Sequence, residues 1–311
     1  MEIATRDSYG KALVKLGRIN PNIVVLDADL SKSTKTIDFA KEFPSRFFNM
    51  GIAEANMIGT AAGLATCGKI PFASTFAVFA TGRVFDQIRM SVCYPRTNVK
   101  IGATHGGISV GEDGASHQST EDISLMRALP NMTVIVPADG IETEKAVFAS
   151  VEYDGPVYLR MGRLKVPVIF DEKYNFEIGK GVVLSEGSDA SIIACGLMVH
   201  ESLEASTQLL KKGIKARVVN MSTIKPIDEE LIVKCARETG AIVTAEEYNI
   251  IGGLGSAVAE VLGEKYPVPM KRIGLNDKFG ESGSPKELFE KYGLSAKYIV
   301  EAVEETTKRK A

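Results

Sequence analysis

Short, uninterrupted apolar runs separated by longer amphipathic stretches recur along the whole chain, and this alternation constrains the fold more than any other feature. The runs IVVLDAD (23–29), PFASTFAVF (71–79), VKIGATH (99–105), MTVIVPAD (132–139) and PVYLRMG (156–162) are largely continuous in hydrophobicity rather than alternating. That pattern belongs to strands covered on both faces. Between them, 53–66, 81–93, 119–128 and 140–153 read as helices. Strand and helix in alternation predict parallel, right-handed βαβ units. From about 164 to 188 the pattern loosens into short extended pieces with Pro, Gly and charges. A second series follows, with strands at 190–196, 216–222 and 241–247 and helices at 198–212, 228–239, 254–264 and 296–307. The expectation is an α/β protein of two domains, 1–165 and 189–311, joined by a linker at 166–188. Each would be a mostly parallel sheet with helices on both faces.

A length of 311 residues suits two such domains and a large core that needs no disulfide or metal to staple it. A net charge of -2 gives no electrostatic reason to expect nucleic acid or an anionic membrane as partner. Cys67, Cys93, Cys195 and Cys235 are far apart and lack the paired spacing of a zinc or redox site, so they read as reduced, mostly buried thiols. No metal ligands are assigned. The opening MEIATRDSYG has no apolar stretch of a signal peptide, and no run approaches the ~20 apolar residues of a membrane span. The cytoplasm is the expected location.

Three features could carry chemistry. Two of the three histidines lie in one glycine-rich stretch, ATHGGISVGEDGASHQSTED (103–122). His105 follows a predicted strand, where parallel sheets place their ligand crevices, and glycines allow close backbone approach. Glu112, Asp113, His117 and Gln118 would offer donors and acceptors to a polyhydroxylated molecule; the plainer reading is a loop of capping residues before a helix begun at Ser119 or Thr120. Second, Glu54 is the one charged residue between Phe47 and Thr66. Buried unpaired, it would be costly and able to hold or share a proton near neutrality; exposed, it would simply favour a helix N-terminus. Third, Phe76 and Phe79 are either core packing or a wall for a flat ring. GGLGSA (252–257) lacks the spacing of a dinucleotide loop and reads as a tight strand-to-helix turn.

GEDGASHQSTED, preceded by TH, together with GIAE and an opening ATR, resembles the C-terminal half of the transketolase family, over essentially the whole chain. The resemblance implies a pyrimidine-binding domain followed by the transketolase C-terminal domain, and thiamine diphosphate as cofactor. It implies that Glu54 hydrogen-bonds the cofactor's aminopyrimidine, that Phe76 and Phe79 wall it, and that Asp29 lies near it. Asp113 and His117 would read the donor sugar's hydroxyls, with His117 also a catalytic acid–base, and Arg6, Ser33, His105 and Arg160 would take the sugar phosphate. Arginine suits that role because its planar fork donates two parallel hydrogen bonds.

The chain departs from the family at Ala53 and Ala55 beside the glutamate, at Ala115-Ser116 in the loop, and at Gly82, where a bulky aromatic is common. The family's Gly-Asp-Gly diphosphate motif and the Asn that holds its magnesium are absent. With Met1 almost at the first motif, the expectation is a half-enzyme. Its partner would be a separate N-terminal subunit holding the diphosphate and Mg²⁺, in an α2β2 assembly acting on sugar phosphates of the pentose phosphate pathway. Two other enzymes share the glutamate and fold, a deoxyxylulose-phosphate synthase and the β subunit of a 2-oxoacid decarboxylating complex. A non-catalytic stabilising subunit is the reading from another class.

Overall fold

Seven strands form the first sheet, in the order Thr223–Lys225, Thr133–Ile135, Val157–Arg160, Lys100–Thr104, Ile70–Phe76, Ile23–Asp27, Phe47–Asn49. All pairings are parallel except that of Thr223–Lys225 with Thr133–Ile135. The computed structural model describes residues 1–310. Every residue of Ile23–Asp27, Lys100–Thr104 and Val157–Arg160 is buried, as continuous apolar runs require when helices cover both faces.

One face carries the helices Thr5–Ile19 and Gly140–Glu152, which bury Tyr9, Leu13, Leu16, Ala146 and Val147 against Phe72 and Ile135. The other carries Glu54–Thr66 and Asp122–Ala128, packed on Leu26, Ala73 and Ile101. The second sheet has five strands in the order Met270–Leu275, Ile242–Asn249, Ala190–Ala194, Ala216–Asn220, Val182–Ser185, all parallel but the last. Helices Met198–Lys211 and Ala296–Thr307 cover one face, with Glu229–Thr239 and Leu254–Lys265 on the other.

The two series are not separate bodies. A single apolar cluster runs from Met57 and Ile123 through Ile193, Val219 and Leu254, and Thr223–Lys225 leaves the second series to extend the first sheet. Within 166–188, Lys165–Pro167 begins a segment that pairs with Glu2–Ala4, and Val182–Ser185 is an edge strand of the second sheet.

Several elements differ from the sequence reading. The run 71–79 is a strand only to Phe76; its last residues start the helix Ala77–Thr81. The helix expected over 81–93 is a short turn at Phe85–Gln87 followed by the π-helix Ile88–Cys93. The helix expected from Ser119 begins at Asp122. Thr5–Ile19 and Met270–Leu275 were not foreseen: the first opens in the TRDS segment, and only the last three residues of the second are buried. At GGLGSA the turn is as expected, with the Glu246 carboxylate accepting from the amides of Leu254 and Gly255 at 2.7 Å each. Cys93, Cys195 and Cys235 are buried, Cys67 is exposed, and all four are free. No helix among the described residues is long and apolar enough to cross a membrane.

Candidate active site

The carboxyl ends of the parallel strands converge on one edge of the first sheet, the usual place for a ligand crevice. Two non-glycine residues there hold left-handed backbone, Asp29 (φ 65°) after Ile23–Asp27 and His105 (φ 60°) after Lys100–Thr104. Such conformations cost free energy and concentrate at functional sites.

His105 is 97% buried, given its 3% relative exposure, and stacks on Phe76 with ring centroids 3.8 Å apart. An Arg6 Nη1 hydrogen donates to His105 Nε2 at 3.2 Å, so Nδ1 carries the ring proton and donates to Thr104 Oγ1 at 2.8 Å. Burial, then the cations of Arg6 and Arg163, hold its pKa at about 3, so it is a neutral ring at physiological pH. Arg6 also donates to the Ser33 carbonyl at 3.2 Å, while its buried Nε has no partner.

Phe76 and Phe79 stack at 5.9 Å, and His117 meets both edge-on at 6.2 and 5.5 Å. Beyond Phe79, the Arg83 guanidinium lies 4.0 Å over its ring and donates to Glu54 Oε1 at 2.8 Å. Glu54 is the first residue of its helix and is buried. It is paired rather than isolated as the bare sequence suggested, because the turn after Ala77–Thr81 returns Arg83 to it. From Asp29 a run of hydrogen bonds leads to the same point: Asn49 Nδ2 donates to Asp29 Oδ1 at 3.0 Å, and the Gly51 amide to Asn49 Oδ1 at 3.0 Å, just before the helix. Asp27, two residues earlier, is wholly internal, accepting from Thr34, Thr36 and the Leu30 amide.

Glu54, Arg83, Phe79, Phe76, His105, Arg6 and Ser33 therefore form one continuous line of contacts, with His117 against both phenylalanines. Asp113 stands at its rim, nearly half exposed, 3.8 Å from Arg163. Arg160 is not part of the line. Its Nε donates to Asp122 at 2.8 Å and its Nη2 to the carbonyls of Ser119 and Glu247, and it is buried beneath Gly106. Burial opposes its charge, but Asp122 and Glu247 outweigh burial and raise its pKa. After Arg6, the cation whose charge acts on His105 is Arg163, which also faces Glu112 at 3.6 Å. Sequence reasoning passed it over; its place three residues after Arg160, in RMGR just past a buried strand, was the available signal.

The residues present fit one end of the expected cofactor. A buried carboxylate beside a stacked aromatic pair can receive a flat, hydrogen-bonding ring. A metal-bound diphosphate is not matched in the same way: among the described residues no three His, Cys, Asp or Glu side chains cluster to hold a metal ion.

Known proteins resemble the chain over nearly its whole length. Residues 1–168 match the transketolase pyrimidine-binding domain and residues 179–299 the transketolase C-terminal domain. The chain is 53% identical over 307 residues to a putative transketolase C-terminal section of Methanocaldococcus jannaschii, covering 98% of this chain and 96% of that one. It is 47% identical to a 6-deoxy-6-sulfo-D-fructose transketolase subunit of Clostridium sp. strain MSTE9, over 98% of this chain and 95% of that one. A solved structure described as a split-gene transketolase, inactive β4 tetramer, superposes with a TM-score of 0.94 at 61% identity, covering 99% of this chain and 100% of that one.

Fold and sequence together define the pyrimidine-binding and C-terminal domain pair of the transketolase type. The chain belongs to the transketolase family.

Proposed function

We propose that this chain is the C-terminal subunit of a transketolase that moves a two-carbon ketol unit from a ketose phosphate to an aldose phosphate. The observation that carries the proposal is the line from the buried carboxylate of Glu54, through Arg83 to Phe79 and Phe76, and on to His117 and the Arg6–His105 pair. When bound, thiamine diphosphate supplies a nucleophilic thiazolium carbon for ketol transfer. Glu54 would hold the aminopyrimidine and Phe76 and Phe79 its ring faces, with Asp29 at the edge of that pocket. His117 would hold or move a proton at the donor's oxygens. Asp113, at the rim, would accept a hydroxyl hydrogen.

Arg6 and Arg163, with the neutral His105 between them and the Ser33 backbone behind, make a cationic end suited to an anionic terminus. Arg160 would contribute from beneath Gly106, through the loop's position. Phosphate and sulfonate are both compatible with two guanidinium groups, and the Clostridium relative is described as acting on a sulfosugar. Diphosphate and Mg²⁺ would be held by an N-terminal partner subunit. Helix Glu54–Thr66 turns Ala55, Gly59 and Gly63 outward, and Ile52 before it is 77% exposed, a surface that favours close approach of another chain. An α2β2 assembly is the arrangement proposed, and an inactive tetramer of β chains alone among its relatives supports dependence on the partner.

The test combines this chain with its N-terminal partner, thiamine diphosphate and Mg²⁺. Donors are D-xylulose 5-phosphate and 6-deoxy-6-sulfo-D-fructose, and the acceptor is an aldose phosphate. Ketol transfer by the mixture and none by this chain alone is the expected result. Transfer by this chain alone would refute partner dependence, and none by the mixture with either donor would refute the activity.

A further inference from the structure

The glycine-rich loop 105–118 is held from the opposite side by the second half of the chain, through contacts that no catalytic assignment uses. Glu247, near the end of the strand Ile242–Asn249, crosses the junction and accepts the Ser109 amide hydrogen with one carboxylate oxygen. Its carboxylate lies where a side chain on Gly107 would stand, 2.3 Å from the Cβ position, and Gly107 itself has φ +86°. Only glycine meets both demands.

A second grip lies at the other end of the loop. Gln118, 3% exposed, turns the two hydrogens of Nε2 to the carbonyls of Glu281 (2.9 Å), Gly111 (3.1 Å) and Ile108 (3.2 Å), one hydrogen being shared between two of them. The contacts with Ile108 and Gly111 fold the loop onto itself; that with Glu281 ties it to a turn of the C-terminal domain. Gly280 makes room for Gln118, since a Cβ there would sit 1.8 Å from Oε1, and Gly114 makes room for Ser282, 2.5 Å from its Cβ position. A buried Gln118 Nε2 and a buried Glu247 in such places are costly unless their bonds are made, which fixes the docked geometry, while Gln118 Oε1, facing Gly280, has no partner. Arg160 closes the arrangement by donating to the carbonyls of both Ser119 and Glu247.

We propose that Glu247 and the 280–282 turn are positioning elements: they fix the loop that carries His105, Asp113 and His117, so the C-terminal domain sets the sugar site without touching the sugar. The effect on sugar binding rests on the function proposed above; the effect on the loop does not. Burial raises the Glu247 carboxyl to about 7 despite the opposing charge of Arg160 and the Ser109 amide, so the group is held at a cost rather than placed for solubility.

Two variants leave the proposed substrate contacts in place: Glu247→Ala removes the acceptor, and Gly280→Ala displaces Gln118. Glu247→Gln, which keeps a carbonyl acceptor, is the conservative control. Hydrogen exchange on the full chain is the first readout. Both disruptive variants should speed exchange in the 106–118 peptides about tenfold or more, as loss of a bond to a charged or buried group does. Peptides in 54–66 should be unchanged, and Glu247→Gln should restore most of the protection. Unchanged loop exchange, or a uniform rise over the whole chain, overturns the proposal.

The second readout is kinetic, in the complex with the N-terminal partner and D-xylulose 5-phosphate as donor. The donor KM should rise about tenfold in Glu247→Ala, with half-saturation by thiamine diphosphate unchanged. A shift in cofactor half-saturation without a change in donor KM overturns the link to the sugar site. If the wild-type complex transfers no ketol unit, the proposed function fails while hydrogen exchange still decides whether Glu247 holds the loop.

Discussion

Arg160 and Arg163 are three residues apart, and substituting around each should give opposite outcomes. Asp122 is fully buried and accepts from Ser119 Oγ at 3.0 Å, Tyr158 Oη at 2.7 Å and Arg160 Nε at 2.8 Å. Asp122→Asn keeps the shape but leaves the Arg160 cation buried without its counter-charge. Removing one member of a buried ion pair costs about 3–5 kcal/mol. With an unfolding entropy of about 2.1 cal/mol/K per residue, that loss lowers Tm by about 5–8 °C for a chain of this length. Arg163, by contrast, is about one-third exposed and 3.6 and 3.8 Å from Glu112 and Asp113. Pairs of this kind contribute about 0–1 kcal/mol and the bond that Arg163 donates to the Val110 carbonyl about 0.5–1.5 kcal/mol, so Arg163→Ala should lower Tm by less than about 4 °C. In the reconstituted enzyme the same change should raise donor KM about tenfold to a hundredfold, as loss of a charge-assisted hydrogen bond does. Calorimetry of the isolated chain and donor titration of the complex supply the two measurements. A Tm drop under about 2 °C for Asp122→Asn, together with a raised donor KM, would mean Arg160 is free to bind substrate and the reasoning fails.

Glu54→Gln should leave the far-ultraviolet spectrum and Tm of the chain nearly unchanged while lowering ketol transfer by about 10²–10⁴-fold, the usual range for a lost proton-handling group; transfer above a tenth of wild type would remove Glu54 from the mechanism. Gly102→Ala should destabilise by about 1–3 kcal/mol in urea unfolding, because a Cβ there falls 2.0 Å from the Tyr9 hydroxyl, which is hydrogen-bonded to Ser74 inside the core. Stability should also fall as pH rises from 5 to 7. Burial lifts Glu142, Glu246 and Glu247 from 4.5 to about 7, so across this window the folded chain keeps protons that the unfolded chain releases. His105 works the other way below 6.5, where only the unfolded chain takes up its proton, and Lys100, lowered by burial to about 7, does so near the top of the window, but these two oppose three. Urea midpoints at pH 5.5 and 7 check the sign, and a higher midpoint at pH 7 would show that these carboxyls are not held protonated.

What could be foreseen, and what could not, divides along a physical line. The buried strands were legible because covering both faces leaves no polar position, and IVVLD and VYLR show it directly. Thr5–Ile19 escaped notice because its first turn is polar and its buried face includes Ser8, Gly10 and Gly17, small residues chosen for close packing rather than hydrophobicity. Met270–Leu275 is an edge strand whose first residues remain partly or fully exposed, so it never needed a continuous apolar run. The histidine loop stood out by composition, since glycines and ionisable groups seldom gather without a ligand or a tight backbone to explain them. Its supports did not. Glu247 and Gly280 lie far along the chain and meet the loop only after two sheets have folded and docked, and neither has a local signature. The same reason explains Arg160 and Arg163: one arginine at the end of a buried strand and another just beyond it are equivalent in a string of letters. Which becomes structural is decided by Asp122, which lies beneath one and out of reach of the other. Side chains that react or bind are thus partly readable from their chemistry, whereas those that position them are chosen by tertiary packing, which is why testing the C-terminal grip on the loop requires the intact chain.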